Sequence, residues 1–275
     1  MSILENVQRT LQLYAGGITD LSFTEAAAHL SLPKSSASHL LNQMVRYGLL
    51  DQHPVTRRYR AGALLGQAAQ AAYAATPLDV ACREVLERLS EHSGLTAYLS
   101  TLVDAETVVL QRLNGSFPVQ VLSSPGSRRA AAGTAMGRAL LSRLSPAEFE
   151  TLYGRDPAAN LPASSQAGLR TVADLAQCVA QATLDRHALV IDGAMPGIGA
   201  VAAAVRNPQD GELRGLCISF VSSLQAGSGK VDALRHLVLD EVSALGRRLN
   251  DGFWLSDASD SPHMAGHGRI TPGLS

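Results

Sequence analysis

Residues 21–60, LSFTEAAAHLSLPKSSASHLLNQMVRYGLLDQHPVTRRYR, decide how the chain is read. They predict two short helices, a tight turn between them and then a basic hairpin. Ser22 and Glu25 have capping-box spacing, so the first helix starts there and turns Ala26, Ala27 and Leu30 inward. Pro33 suits the first turn of the second helix, where its missing N–H costs nothing. Ala37, Leu40, Leu41 and Met44 follow at i, i+3, i+4 and i+7, which is one apolar face. The opposite face carries Lys34, Ser35, Ser36, Ser38, His39, Asn42 and Gln43, the short donors and acceptors that a helix in a DNA major groove needs. An ordinary solvated helix can show the same face, and the hairpin tips the balance. Gly48-Leu49-Leu50 ends the helix, Pro54 turns the chain, and Arg57, Arg58 and Arg60 cluster around Tyr59 on the returning strand. Phosphate contacts from such a wing would fix the register of the helix on DNA.

The run LPKSSASHLLNQM at 32–44, with GLL at 48–50 and RRYRAG at 57–62, resembles the winged helix of IclR-family bacterial transcription regulators. That family usually has a pattern like LPKSTVHRLLxxL and later YRLG. Leu32, Pro33, Lys34, Ser35, Leu40, Leu41, Tyr59, Arg60 and Gly62 match it. His39 stands where Arg is usual, an imidazole in place of an always-charged fork, and Ala61 stands where Leu is usual. The expected groove and backbone contacts are Lys34, Ser35, Ser36, Ser38, His39 and Asn42, and the expected wing–phosphate contacts are Arg57, Arg58 and Arg60.

Length and charge fit this reading. At 275 residues two domains are favoured over one. No run is long and apolar enough to span a bilayer, and Met1 opens into an amphipathic pattern without a signal peptide, so a cytoplasmic protein is expected. Cys82, Cys178 and Cys217 are odd in number and far apart, which points to buried thiols in a reducing compartment and to no metal cluster. The net charge of −1 divides unevenly. Six basic against four acidic residues leave 1–75 at +2, with the excess between Lys34 and Arg60, and the remainder at −3. A small basic module on an acidic body suits a homodimer or tetramer that sums weak half-site contacts.

In chain order, Ile3, Val7, Leu11 and Tyr14 predict a helix that packs under the other two and stops at Gly16-Gly17. The alanine-rich run 63–75 predicts a linker helix, either a plain connector or, as the family resemblance implies, one that also helps dimerise the DNA-binding domains. Thr76-Pro77 opens the next helix. The expected domains are thus 1–62 (winged helix-turn-helix), 63–76 (linker), 77–255 (effector binding and oligomerisation) and 256–275 (a mobile tail). In the second domain, 78–92 reads as a helix with Val80, Val85, Leu86 and Leu89 inward. Strands are expected at 95–103, 106–113, 119–122, 200–206 and 215–222. Helices are expected at 134–144, from Ser145-Pro146, at 172–186, and at 230–249 with Val231, Leu234, Leu237, Val238 and Val242 as the core stripe. Antiparallel strands with helices on one side make an α+β fold.

This layout also resembles the IclR effector-binding domain, a GAF-like sheet with a small-molecule pocket. TAMGRALLSRL at 134–144 is similar to the family's GxGKALLAxL, matching at Gly137, Ala139, Leu140 and Leu141, with Arg138 in place of Lys. GIGAVAAAV at 197–205 and GLCISF at 215–220 are further matches. The resemblance implies an effector site among the start of the 135–144 helix (Ala135, Met136), the segment around Ile198 and Ala200, and the last strand (Cys217, Ser219), with Val121, Arg129 and Val190 beside them. Helix N–H groups would favour an anion there. Arg129 would pair with a carboxylate, or Arg128-Arg129 is a solvated pair. The implied ligand is a small, partly apolar organic or aromatic acid or related catabolite.

Nothing in the chain predicts catalysis. Gly197-Ile198-Gly199 lacks the helix of a dinucleotide fingerprint, residues 133–138 lack the Gly-Lys-Ser/Thr end of a phosphate loop, and no serine sits in a nucleophile elbow. The histidines are scattered singly, and His263 and His267 in the tail make a weak metal site. The expectation is a ligand-responsive regulator that binds operator DNA, small-molecule effector and itself, with no cofactor and no membrane. It would act on a catabolic operon, as repressor or activator. The alternative is a small-molecule sensor that works through a protein partner.

Overall fold

In the computed structural model, residues 2–15, 18–74, 77–121, 123–162, 168–193, 195–224 and 229–256 are described. Gly16-Gly17, Thr76 and the tail from residue 257 lie outside them, as do the expectations placed there. Three helices, α1 (Ile3–Ala15), α2 (Phe23–Leu30) and α3 (Lys34–Arg46), precede a two-stranded antiparallel wing, β1 (Leu50–Gln52) and β2 (Tyr59–Ala61). The capping box forms as expected: Glu25 N donates to Ser22 Oγ at 3.2 Å and Ser22 N to Glu25 Oε2 at 2.7 Å. Leu30, Leu40, Leu41, Met44 and Leu50 close the core, with Val7, Leu11 and Tyr14 of α1 packed against it. Ile3 lies outside that core, half exposed at the start of its helix. Pro33 stands one position earlier than expected, as the N-cap of α3 rather than in its first turn.

Tyr59 stitches this unit together. Its N–H donates to Leu21 O at 2.7 Å, and its carbonyl accepts from Leu21 N at 2.8 Å and from the Tyr14 hydroxyl at 3.0 Å. Wing, α1 and the lead-in to α2 therefore share one residue. Burial pushes the Tyr14 hydroxyl pKa up to about 12, so it stays a donor.

After α4 (Ala63–Ala74) and α5 (Pro77–Ser93) comes a six-stranded antiparallel sheet: β3 (Thr96–Val103), β4 (Glu106–Leu113), β5 (Arg128–Ala130), β6 (Ala188–Ile191), β7 (Ile198–Arg206) and β8 (Leu213–Val221). The strand order is β5-β4-β3-β8-β7-β6. Between β5 and β6 run α6 (Ala135–Leu141), α7 (Pro146–Tyr153) and α8 (Val172–Asp185), and α9 (Lys230–Arg248) and α10 (Gly252–Leu255) close the chain. One sheet face packs on α5 and α9 through Cys82, Leu86, Leu89, Val238 and Val242, and α6 covers the other through Ala135, Met136 and Leu140. Burial of the thiols raises the pKa values of Cys82 and Cys217 to about 12, so both behave as small hydrophobes.

Further expectations are corrected. Helices cover both faces of the sheet and not one side alone. Val80 points outward, half exposed, while Val85, Leu86 and Leu89 are fully buried. Residues 119–121 form no strand, because Pro118 cannot donate to a ladder and the Val121 carbonyl is taken by the Tyr98 hydroxyl. Ala188–Ile191 adds an edge strand, and the helix from Ala135 ends at Leu141.

Two close approaches set the spacing of α6 from the sheet. A Cβ on Gly215 would lie 2.4 Å from Met136 Sδ, and one on Gly137 2.0 Å from Ala131 O. At the far end, Arg143 and Asp251 pair at 2.5 Å with both side chains under 10 % exposed. Asp251 also accepts from Arg206 N at 2.8 Å and caps α10, and Arg143 lies 3.8 Å over the Phe253 ring. Removing one partner of such a pair leaves a buried charge uncompensated. Asp251→Ala should therefore lower unfolding free energy by about 3–5 kcal/mol, read as a shift in urea midpoint at unchanged slope.

Candidate functional site

Two places gather the functional side chains. The first is the outward face of α3. Lys34, Ser35, Ser36, His39 and Asn42 are exposed and Ser38 is half-buried. Pro33 provides no side-chain cap, so the first N–H groups of α3 have no partner from it and are open to an acceptor from outside. Asn42 Nδ2 donates to Ser38 Oγ at 3.4 Å, and Gln43 Nε2 lies 3.0 Å from His39 Nε2.

The wing tip is a closed turn. His53 N donates to Arg58 O and Arg57 N to His53 O, and the His53 ring accepts from Val55 N and Thr56 N at 3.3 and 3.1 Å. The three arginines behave differently. Arg57, with a positive φ of 58°, forms no ion pair within 4 Å among the described residues. Arg60 is exposed and stands 3.8 Å from Asp51. Arg58 is turned back onto the domain, 2.6 Å from Asp20 and 2.9 Å from Glu25. The bond to Asp20 raises its pKa, and Glu25 is held below the usual carboxylate range first by the Ser22 N–H and then by this guanidinium. Arg58 thus holds the wing in place, a role that its sequence position did not reveal because Asp20 lies 38 residues away.

The second place is a cavity of about 110 Å³ between the sheet and the start of α6. All nine expected effector residues line it: Val121, Arg129, Ala135, Met136, Val190, Ile198, Ala200, Cys217 and Ser219. Tyr98, Ser100, Thr107 and Val109 from β3 and β4 join them, as do Ser123, Ser127, Thr134 and Met195 from the connections, which sequence reasoning missed. The polar/apolar alternation of β3 and β4 carried a signal for Tyr98, Ser100 and Thr107, but no pattern marks the loop residues. Cys217 Sγ sits 3.8 Å from Ser219 Oγ, and Thr134 Oγ1 caps α6 by accepting from Gly137 N at 2.9 Å.

Among the described residues, Arg129 is the only charged side chain in this lining. Its neighbour Arg128 pairs with Glu106 at 2.7 Å, and both arginines are exposed. Thr107 sits opposite Arg129 in the sheet, its hydroxyl donating to Arg129 O at 3.3 Å. Ser123 and Ser127 add further hydroxyls to the lining, and Met136, Val190, Met195 and Ile198 add apolar surface. Tyr98 fastens the roof, donating to Val121 O and accepting from Ser123 N at 3.2 Å. Burial raises its pKa, which keeps the hydroxyl protonated.

A winged helix-turn-helix joined to an α+β domain with a partly open cavity defines a two-part DNA-binding regulator. Residues 9–54 match the IclR helix-turn-helix domain, and residues 70–247 match the family described as Bacterial transcriptional regulator IclR C-terminal. The chain belongs to the IclR family of bacterial transcriptional regulators, which are not enzymes. It is 27% identical over 227 residues to the HTH-type transcriptional regulator XynR of Escherichia coli, covering 81% of this chain and 88% of that one. It is 22% identical to BhcR of Paracoccus denitrificans over 82% of this chain and 79% of that one. Among solved structures, an IclR regulator from Alicyclobacillus acidocaldarius overlays with a TM-score of 0.76 at 19% identity, covering 89% of this chain and 97% of the other. An IclR homolog from Microbacterium hydrocarbonoxydans, complexed with 4-hydroxybenzoate, gives 0.73 at 19% identity, covering 90% and 99%. No helix among the described residues is long and apolar enough to cross a membrane.

Tyr98→Phe removes both loop bonds while keeping the ring. It should speed amide hydrogen exchange at 121–127 several-fold and cost about 1 kcal/mol of stability, with exchange in α3 unchanged.

Proposed function

We propose that this regulator senses a small, partly apolar organic acid in the sheet cavity and answers by changing its hold on operator DNA. The observation that carries this is the single guanidinium of Arg129 in a neutral, largely apolar lining. A cation with no ion-pair partner among the described residues, in a lining otherwise largely apolar, suits a carboxylate with an apolar or aromatic body. The relative solved with 4-hydroxybenzoate supports this ligand class. The genes controlled are those that break down such an acid, and the protein acts in the cytoplasm as a homodimer or dimer of dimers. The cavity must prefer one arrangement of the DNA-binding units, since a ligand shifts an equilibrium only by its differential affinity.

On the DNA side, Lys34, Ser35, Ser36, Ser38, His39 and Asn42 of α3 contact groove and backbone, and the open N-terminus of α3 receives a phosphate. Arg57 and Arg60 reach phosphates from the wing, with Arg58 as their anchor.

Two measurements test this reading. In calorimetric titrations with substituted benzoates and short-chain organic acids, Arg129→Ala should weaken the best ligand about tenfold to a hundredfold and leave operator binding without ligand intact. An unchanged affinity would remove Arg129 from the site. In anisotropy titrations on upstream DNA, Arg57→Ala and Arg60→Ala should each lower the slope of log K against log salt by about 0.9 per protomer. Arg58→Ala should weaken binding with a smaller change in slope.

A further inference from the structure

The side chains of Asn42 and Gln43 are held in the same way. Each amide nitrogen bonds a residue one helical turn earlier, Asn42 to Ser38 at 3.4 Å and Gln43 to His39 at 3.0 Å. One amide proton is used in each pair, leaving a second N–H and a free carbonyl oxygen. That remaining donor–acceptor pair complements adenine in the major groove, where the N–H meets N7 and the oxygen meets the N6 amino group. Guanine presents two acceptors there and would leave the amide oxygen facing another oxygen. No acidic side chain lies on α3 to compete for these donors.

We infer that Asn42 and Gln43 each read an adenine, so that every operator half-site carries two A·T pairs where α3 enters the groove. Besides their backbone contacts, Ser38 and His39 act as positioning residues that fix the amides before DNA arrives. Held this way, less rotamer freedom is lost on binding. The His39 that replaces the family's usual arginine thereby serves a neighbour and need not touch a base itself. This rests on α3 being the helix in the groove.

The test is selection of duplexes from a randomised pool by the full-length protein, followed by competition with each base changed in turn. Wild-type protein should enrich two adenines per half-site. Asn42→Ala should erase the preference at one and Gln43→Ala at the other, each by about tenfold or more, with the remaining positions unaltered. Gln43→Glu should redirect its position to cytosine, whose N4 amino group suits a carboxylate. Ser38→Ala and His39→Ala should blunt the same two positions and no others. Guanine at either position, or a uniform loss of affinity with every preference intact, overturns the adenine reading while leaving DNA binding in place. No enrichment of any sequence overturns the groove assignment of α3 itself. Unchanged far-ultraviolet dichroism and thermal midpoint show that each variant is folded.

Discussion

The approach of α6 to the sheet governs the regulatory domain. Gly215 lets Met136 come down onto β8, and Gly137 lets α6 turn against Ala131. With a Cβ at Gly137 the helix would have to shift off the Ala131 backbone, and with one at Gly215 the Met136 side chain in the cavity wall would have to move, so either would change the cavity. The cavity floor is supplied by every strand: β3, β4, β7 and β8 by alternate residues, β5 by Arg129 and β6 by Val190. A shape so widely sourced is set by packing of the whole sheet rather than by one loop. This is why small residues at Ala135, Gly199 and Ala200 matter as much to it as the polar ones. The Gly199 position is itself constrained, since a Cβ there would lie 2.2 Å from the Phe220 ring.

Much of the DNA-binding unit was legible because its signals are local. Capping-box spacing at Ser22 and Glu25, an i, i+3, i+4, i+7 face on α3 and a basic hairpin each depend on residues within one turn or one strand. The retreat of Arg58 was not legible, because nothing in RRYR separates an arginine aimed at phosphate from one paired with Asp20 across the domain. In the second domain the nine cavity residues came from likeness to a family and not from periodicity. The fold gathers them because six sit on strands of the sheet that α6 covers, Ala135 and Met136 open α6 itself, and Val121 lies on a connection. Residues 119–122 look like a strand by composition, yet a tyrosine hydroxyl takes the carbonyl that a ladder would need. The edge strand at Ala188–Ile191 has the opposite problem: four apolar residues between a helix and a glycine carry no alternation to read.

The two halves of the molecule use polar groups for different ends. In the cavity, hydroxyls and a single cation face a space, and their remaining hydrogen-bonding capacity is what a guest would take up. On α3, serine and histidine side chains satisfy part of a neighbour's capacity and so define what is left. At the Arg143–Asp251 pair the two charges face each other and Asp251 also takes the Arg206 N–H, while Arg143 Nε finds no hydrogen-bond partner among the described residues, and the result is a fixed corner that ties α10 to the sheet.

Tyr59 has one more consequence. Because its main chain bridges Leu21 and its carbonyl also receives Tyr14, the wing cannot swing independently of the helices beneath it. The span between the tip at Arg57 and the start of α3 is thus a fixed gauge, like the jaws of a caliper. With α3 seated in the groove as proposed, such a gauge would respond to the width and bend of a duplex as well as to its letters, and two sites with the same bases under α3 but different flanking stiffness would then not be equivalent.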